Sequence, residues 1–261
     1  MNDGPVAVSR DGAIRPAPRE WVPEAPVAFE FNGLAYAVMM ATPESLADFV
    51  VGFALGEGLA QTADDVTDLD AAEVADGWIV RATIAGLGIE RLTERVRARV
   101  AESSCGLCGI ENLAEVARPL PPVAPHAAIE AEAIFAALDA LRDRQDLNRR
   151  TGAAHAAAWC TSSGRIAELR EDVGRHNAMD KLIGVMARTG WPLADGFLLS
   201  TARCSYEIVE KAVKGGATTL VTVSLPTSLA VERAKAAGLS LWVLARGDSV
   251  TLVHDGSARP V

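Results

Sequence analysis

The chain has 261 residues, 49% of them hydrophobic and 23% charged, enough to bury a substantial core in one large domain or two small ones. A formal net charge of −9 excludes a general nucleic-acid binder, which needs cationic surface to displace counterions, and no run reaches the ~18 apolar residues of a membrane span. Residues 1–20 have neither a basic head nor an apolar signal core and read as the loose leader of a cytoplasmic protein, where four cysteines do not imply a disulfide framework.

Residues 21–103 read as a small α+β domain. In "VAFEFNGLAYAVMM" (27–40) apolar and small residues alternate around Asn32-Gly33, a pair that accepts positive φ and so predicts a hairpin turn. "TPESLADFVVGFALGEGL" then predicts a helix with Thr42 as N-cap and Pro43 in the first helical position. "DGWIVRATIAG" (76–86) predicts a strand and "ERLTERVRARVAES" (90–103) a charged helix.

Residues 104–126 hold "SCGLCG" followed by "VARPLPPVAPH", whose prolines cannot sustain a helix and mark a linker between domains. Glycine follows each of Cys105 and Cys108, which predicts an exposed, mobile segment.

Residues 127–261 predict the order α-β-β-α-β-α-β-α-β. The elements are "AIEAEAIFAALDALRDRQ", two strands in "HAAAWCTSSGRIAELR" around Ser162-Ser163-Gly164, "HNAMDKLIGVMARTG" closed by Gly190, "GFLLS", "SYEIVEKAVKGG", "TTLVTVS", "SLAVERAKAAG" and "SLWVLARG". Strand–helix–strand units imply parallel pairing and a three-layer sandwich. Ligands of such sheets bind beyond the carboxyl ends of the strands. Four loops belong there: residues 170–177, 200–207, 224–228 and 245–249.

These loops suit a phosphate-bearing ligand. Arg175, Arg203 and Arg246 can make paired hydrogen bonds to phosphate. Ser205, Thr227 and Ser228 lie at helix starts, where free N–H groups favour anions, and Gly174 and Gly247 permit close backbone approach. Each loop alone also reads as an ordinary cap or turn, and Arg203 could pair with Glu207 one helical turn on. His176, flanked in sequence by Asp172 and Asp180, is read as structural or catalytic, and His155 as a packing residue or a support behind the site.

The cysteine pair has three chemical readings. Zinc needs three or four ligands, whereas CGLC supplies two, Cys160 and Cys204 are isolated, and no His-x-Glu occurs. A thioredoxin-like switch would follow the first strand of a βαβ unit, and here a charged helix precedes and a proline-rich linker follows. A thiol carrier remains: a thiolate accepts sulfane sulfur as a persulfide, and the second thiol displaces it by thiol–disulfide exchange.

The motifs "CGLCG", "HAAAW", "EDVGRHNAMDKLIG", "STARCSYEIVEKA" and "SLAVERAKAAGL" together resemble the formate dehydrogenase accessory sulfurtransferases (FdhD/NarQ), from near residue 27 almost to the C-terminus. The resemblance implies a cytidine deaminase-like three-layer α/β/α second domain without zinc, and no metal bound directly by the protein. It implies a carrier that takes persulfide sulfur from a cysteine desulfurase and passes it to the molybdenum cofactor, Mo-bis(molybdopterin guanine dinucleotide), of formate dehydrogenase. Cys105 matches the persulfide carrier and Cys108 the second thiol. The cofactor-binding turn maps to Leu244, Ala245, Arg246, Gly247, Asp248 and Ser249, alongside Arg203, Arg175, His176, Thr227 and Ser228. A homodimer is likewise implied. Where Leu244 stands the family usually carries an aromatic, and where Ser249 stands often a basic residue, which would shift binding toward Arg246 and backbone groups. Two other readings stay open: a chaperone that binds the cofactor without transferring sulfur, and a zinc-dependent deaminase-like hydrolase.

Overall fold

The structure, a computed structural model, describes residues 6–17, 20–90, 92–94 and 118–257. Cys105, Cys108 and most of the expected 90–103 helix lie outside them. Within the expected leader, β1 (Val6–Val8) and β2 (Ile14–Pro16) form a short exposed antiparallel ladder that no sequence signal announced.

The Asn32-Gly33 turn forms as expected, with φ of 50° and 79°, and closes β3 (Ala25–Phe31) on β4 (Leu34–Ala41). Helix α1 (Leu46–Gly56) follows. Thr42 is not its cap: Ser45, left-handed at φ 53°, holds the N-cap position, and Thr42 is buried in contacts with the other half of the chain. The strand β5 (Val66–Val74) pairs antiparallel with β6 (Gly77–Ile84), which itself runs parallel to β3, giving the order β4-β3-β6-β5. One face of this sheet packs on α1 through Phe29, whose ring lies 4.9 Å from both Phe49 and Phe53. Nearly every α1 residue is buried, because the helix is covered on both sides.

The second half contains α2 (Ala131–Arg144), the short α3 (Asp146–Thr151), β7 (His155–Thr161), β8 (Ile166–Asp172) and α4 (Arg175–Thr189), capped by left-handed Gly190. It continues through β9 (Gly196–Ser200), α5 (Tyr206–Lys214), β10 (Thr219–Thr222), α6 (Ser228–Ala237), β11 (Ser240–Val243) and β12 (Thr251–His254). The expected element order is present, with α3 and β12 added. The pairing is mixed rather than uniformly parallel. The sheet order is β12-β11-β10-β9-β7-β8; β9, β10 and β11 are parallel, β7 lies antiparallel between β8 and β9, and β12 is an antiparallel edge. The hairpin β7–β8 inserts its first strand into the sheet, so the crossover through α4 skips one position. Helices α4, α5 and α6 cover one face and α2 the other. Among the described residues no helix is long and apolar enough to cross a membrane.

The two sheets meet through α1 and α4. A Cβ on Gly52 would sit 1.8 Å from the Asp180 carbonyl oxygen, and one on Gly184 1.8 Å from that of Asp48, so the helices touch backbone to backbone. Charges flank this crossing. Asp48 accepts from Arg170 at 2.9 Å and also from Arg188, and Lys214 Nζ donates to Gly56 O at 3.3 Å. Deeper in, Lys181 Nζ donates to Asp172 Oδ2 (2.6 Å) and Thr42 O (2.8 Å), with both charged side chains 0% exposed.

Candidate functional site

Because β7 opposes both β8 and β9, the strands β8, β9, β10 and β11 all point the same way. Their C-terminal ends share one edge of the sheet, and the four polar loops gather there with the N-termini of α4, α5 and α6. Backbone bonds stitch neighbouring loops together. Val223 N–H donates to Ser200 O (2.9 Å), Thr227 N–H to Cys204 O (2.9 Å), and Ala245 N–H to Thr222 O (3.2 Å). Three helix N-termini with free N–H groups and their dipoles make this edge attractive to anions.

Arg203, Thr227, Ser228, Arg246, Gly247, Asp248 and Ser249 are exposed on the rim, while Arg175, His176, Ser205 and Leu244 are half-buried and Ala245 is buried. Thr227 already caps α6 by accepting from Ala230 N–H at 3.2 Å. Leu244 takes φ 50°, uncommon for a branched side chain, at the turn where β11 leaves the sheet. Such local strain gathers at ligand sites. A Cβ on Gly247 would meet nothing within 4 Å, so that backbone lies open to a ligand.

Arg175 Nε and Ser205 Oγ are buried atoms without a hydrogen-bond partner among the described residues, and His176 Nε2, also buried, has only its ion-pair contact with Glu207. Buried polar groups are rarely left unpaired, so two of them at one sheet edge suit a polar ligand or ordered water. The residues present therefore fit a phosphate-rich guest.

His176 bonds neither flanking aspartate, although Asp180 lies one turn below it on α4; its Nε2 is 3.0 Å from Glu207 Oε2. That contact is the first cause holding the Glu207 carboxyl below its ordinary range, against burial. Glu207 thus faces His176, not Arg203. Asp172 belongs to the inter-sheet network: besides Lys181 it accepts from Thr42 N–H (3.1 Å), Gly174 N–H (2.7 Å) and Asn177 Nδ2 (2.9 Å). Asn177 Nδ2 also donates to Met40 O (2.8 Å), so the loop bearing Arg175 and His176 is fastened to the end of β4. Cys204 and Cys160 are buried, and burial pushes both thiols up to about 12, consistent with inert packing residues. Among the described residues no group of three or more His, Cys, Asp or Glu side chains could hold a metal ion.

His155 opens β7 opposite Asp172, at the same edge. Burial, then the charges of Arg175 and His176, lower its pKa from the ordinary value near 6.5. A folded state that resists protonation has stability present above pH ~6.5 and loses it as pH falls through the lowered value. Urea midpoints should therefore drop on acidification through that window, with a shallower drop in His155→Gln. An equal slope in both would contradict this assignment.

The roles of Glu207 and Lys211 and the tie through Thr42 were not singled out from sequence. A signal existed in the four-residue spacings His176–Asp180 and Glu207–Lys211, but not in which helices adjoin.

Comparison with known proteins follows the same outline. Residues 22–259 match the model of the FdhD/NarQ family. A protein of Variovorax paradoxus named sulfur carrier protein FdhD is 44% identical over 235 residues, 90% of this chain and 84% of that one. Proteins of the same name from Cupriavidus necator (43%; 94% and 85% covered) and Chromobacterium violaceum (44%; 90% and 89%) are similar to the same extent. A crystal structure assigned to a formate dehydrogenase accessory protein of Desulfotalea psychrophila superposes with a TM-score of 0.74 over 96% of this chain and 94% of that one. At 20% identity this likeness shows a shared fold.

Proposed function

The chain belongs to the FdhD/NarQ family, and on that premise we propose that it is a sulfur carrier serving formate dehydrogenase. Cys105 accepts sulfane sulfur from a cysteine desulfurase. Cys108 then attacks its own neighbour's persulfide: the Cys105–S–S⁻ bond breaks, a Cys105–Cys108 disulfide forms, and the terminal sulfur leaves as HS⁻ carrying the Cys108 proton. The thiol pair supplies both electrons for S–S cleavage in this release step, and a small-molecule or protein dithiol reopens the disulfide before the next load.

The cargo's destination, the dehydrogenase's Mo-bis(molybdopterin guanine dinucleotide), is held at the sheet edge. Arg175, Arg203 and Arg246 face its phosphates, Ser205, Thr227 and Ser228 offer helix N-termini, and residues Leu244 to Ser249 pass close to a guanine. The observation that carries this reading is a pair of buried atoms without a hydrogen-bond partner among the described residues, Arg175 Nε at the first residue of α4 and Ser205 Oγ at the N-cap of α5. The antiparallel β7 set among parallel neighbours, with helices on both faces, supports a cytidine deaminase-like ancestry for this half. The reading further takes the protein as a cytoplasmic homodimer, in keeping with free thiols.

A cofactor chaperone without sulfur transfer is the second reading, favoured by the same unpartnered atoms, which concern binding alone. Activation of formate dehydrogenase separates the two. The carrier reading expects Cys105→Ala to abolish activation and Arg203→Glu/Arg246→Glu to weaken it. Full activation by Cys105→Ala, with loss only in the arginine variant, would replace the carrier by the chaperone.

A further inference from the structure

Two helices of the second half share a ladder of alternating charge. On α4, His176 and Asp180 are one turn apart, and on α5, Glu207 and Lys211 are one turn apart, so each pair lies on one helix face. His176 Nε2 is 3.0 Å from Glu207 Oε2, and Lys211 Nζ is 2.7 Å and 2.9 Å from the two Asp180 oxygens. The rungs differ in depth. Side-chain exposure is 1% for Asp180 and 15% for Lys211, but 27% for His176 and 44% for Glu207.

The inner rung is a fixed ion pair. Burial draws Lys211 down, yet Asp180, Glu57 and the hydrogen bond to Asp180 outweigh it and hold the ammonium above its ordinary range. Burial pushes the Asp180 carboxyl up, against Lys211. The outer rung sits at the α4 and α5 N-termini, where the crevice opens. The groups facing His176 are Glu207 from α5, Arg175 beside it, His155 from β7, and Asp180 and Lys211 one turn below, with Glu57 behind them. Imidazole is the side chain that ordinarily changes charge between pH 5 and 8.

We infer that His176 is the acid–base group of the crevice, held by Glu207 and the Asp180–Lys211 pair so that it can pass a proton to the bound cargo. This assignment rests on the sulfur-carrier reading. Setting sulfur where a metal centre carries a terminal oxygen consumes HS⁻ and one proton and releases water, with no change in oxidation state. The hydrosulfide brings one hydrogen of that water. The second comes from an acid, and the His176 imidazolium, returning to imidazole, supplies it. Persulfide cleavage leaves no spare proton, since the Cys108 proton departs with the sulfide.

Two measurements on the full chain test this. The first is an NMR titration of the imidazoles, practicable because the chain has four histidines and His176→Gln identifies the signal. Glu207→Gln, which removes the facing carboxylate, should alter the His176 ring signal. The second follows sulfur delivered to the dehydrogenase as cyanide-releasable thiocyanate, normalised to the persulfide load on each sample. Wild-type delivery should fall as pH rises through the range in which imidazole gives up its proton, and Glu207→Gln should alter that profile. His176→Gln should deliver at least ~10-fold more slowly with a flattened profile, general acids contributing ~10²–10⁴. Delivery by His176→Gln at the wild-type rate and pH profile, or a His176 ring signal unchanged in Glu207→Gln, overturns the assignment and leaves the ladder a brace. A wild-type chain that takes up no sulfur at all overturns the carrier reading and this assignment together, an outcome the load measurement identifies separately.

Discussion

Replacing Lys181 with methionine is expected to destabilise the protein by about 3–5 kcal/mol, the cost of leaving a buried carboxylate without its cation. Both Lys181 and Asp172 are 0% exposed, and the ammonium also donates to Thr42 O, which joins the two halves of the chain. The lower end of that range applies, because Asp172 keeps three neutral donors in Thr42 N–H, Gly174 N–H and Asn177 Nδ2. Asp172→Asn should be as harmful, since an amide cannot answer a buried ammonium whose pKa burial already lowers. The double variant Asp172→Asn/Lys181→Met should then lose less than the two single losses summed, with a coupling of about 2 kcal/mol or more. Urea unfolding of all four proteins measures it. Strict additivity would show that the pair is not the unit described here. Because Asn177 and Gly174 hang on the same carboxylate, the single variants should also loosen the loop carrying Arg175 and His176.

Gly184→Ala offers a test whose sign alone is informative. At an exposed helix position, glycine to alanine stabilises by roughly 0.5–1 kcal/mol. Here the new methyl would lie 1.8 Å from the Asp48 carbonyl oxygen, and the obstacle is backbone, which cannot swing aside. Overpacking of this kind costs about 1–3 kcal/mol, and a backbone obstacle places it at the upper end. Gly52→Ala, facing Asp180 O at 1.8 Å, should behave alike. Since α4 carries His176 and Asp180, prising it from α1 should disturb the crevice along with stability. A rise in the urea midpoint of either variant would contradict the close crossing.

Much of the second half was legible because its signals are local. The turn Ser162-Ser163-Gly164, the stop at Gly190 and the helix starts at Ser205 and Thr227 follow from backbone preferences within a few residues, and the structure has them all. The gathering of the four loops followed from the direction of the strands alone, although the sheet is mixed. What sequence hid is what depends on distant partners. Thr42 before Pro43 looks like a cap, but its amide and hydroxyl serve Asp172 and Val173, 130 and 131 residues away. Strand β5 is acidic and only Val66 in it is buried, so as an edge strand it shows no inward period to read. The ladder at the crevice needs α4 beside α5, a fact of packing. His176 is accordingly flanked in sequence by two aspartates and contacted in the structure by Glu207.

The central claim concerns Cys105, and intact-mass spectrometry tests it most directly. Wild type, Cys105→Ala and Cys108→Ala would each be incubated with a cysteine desulfurase and cysteine. The account predicts a gain of one or more sulfur atoms on wild type, removed by reductant, and no gain on Cys105→Ala. Equal sulfur on Cys105→Ala, or none on folded wild type with an active desulfurase, would contradict it and leave a protein that binds the cofactor without carrying its sulfur.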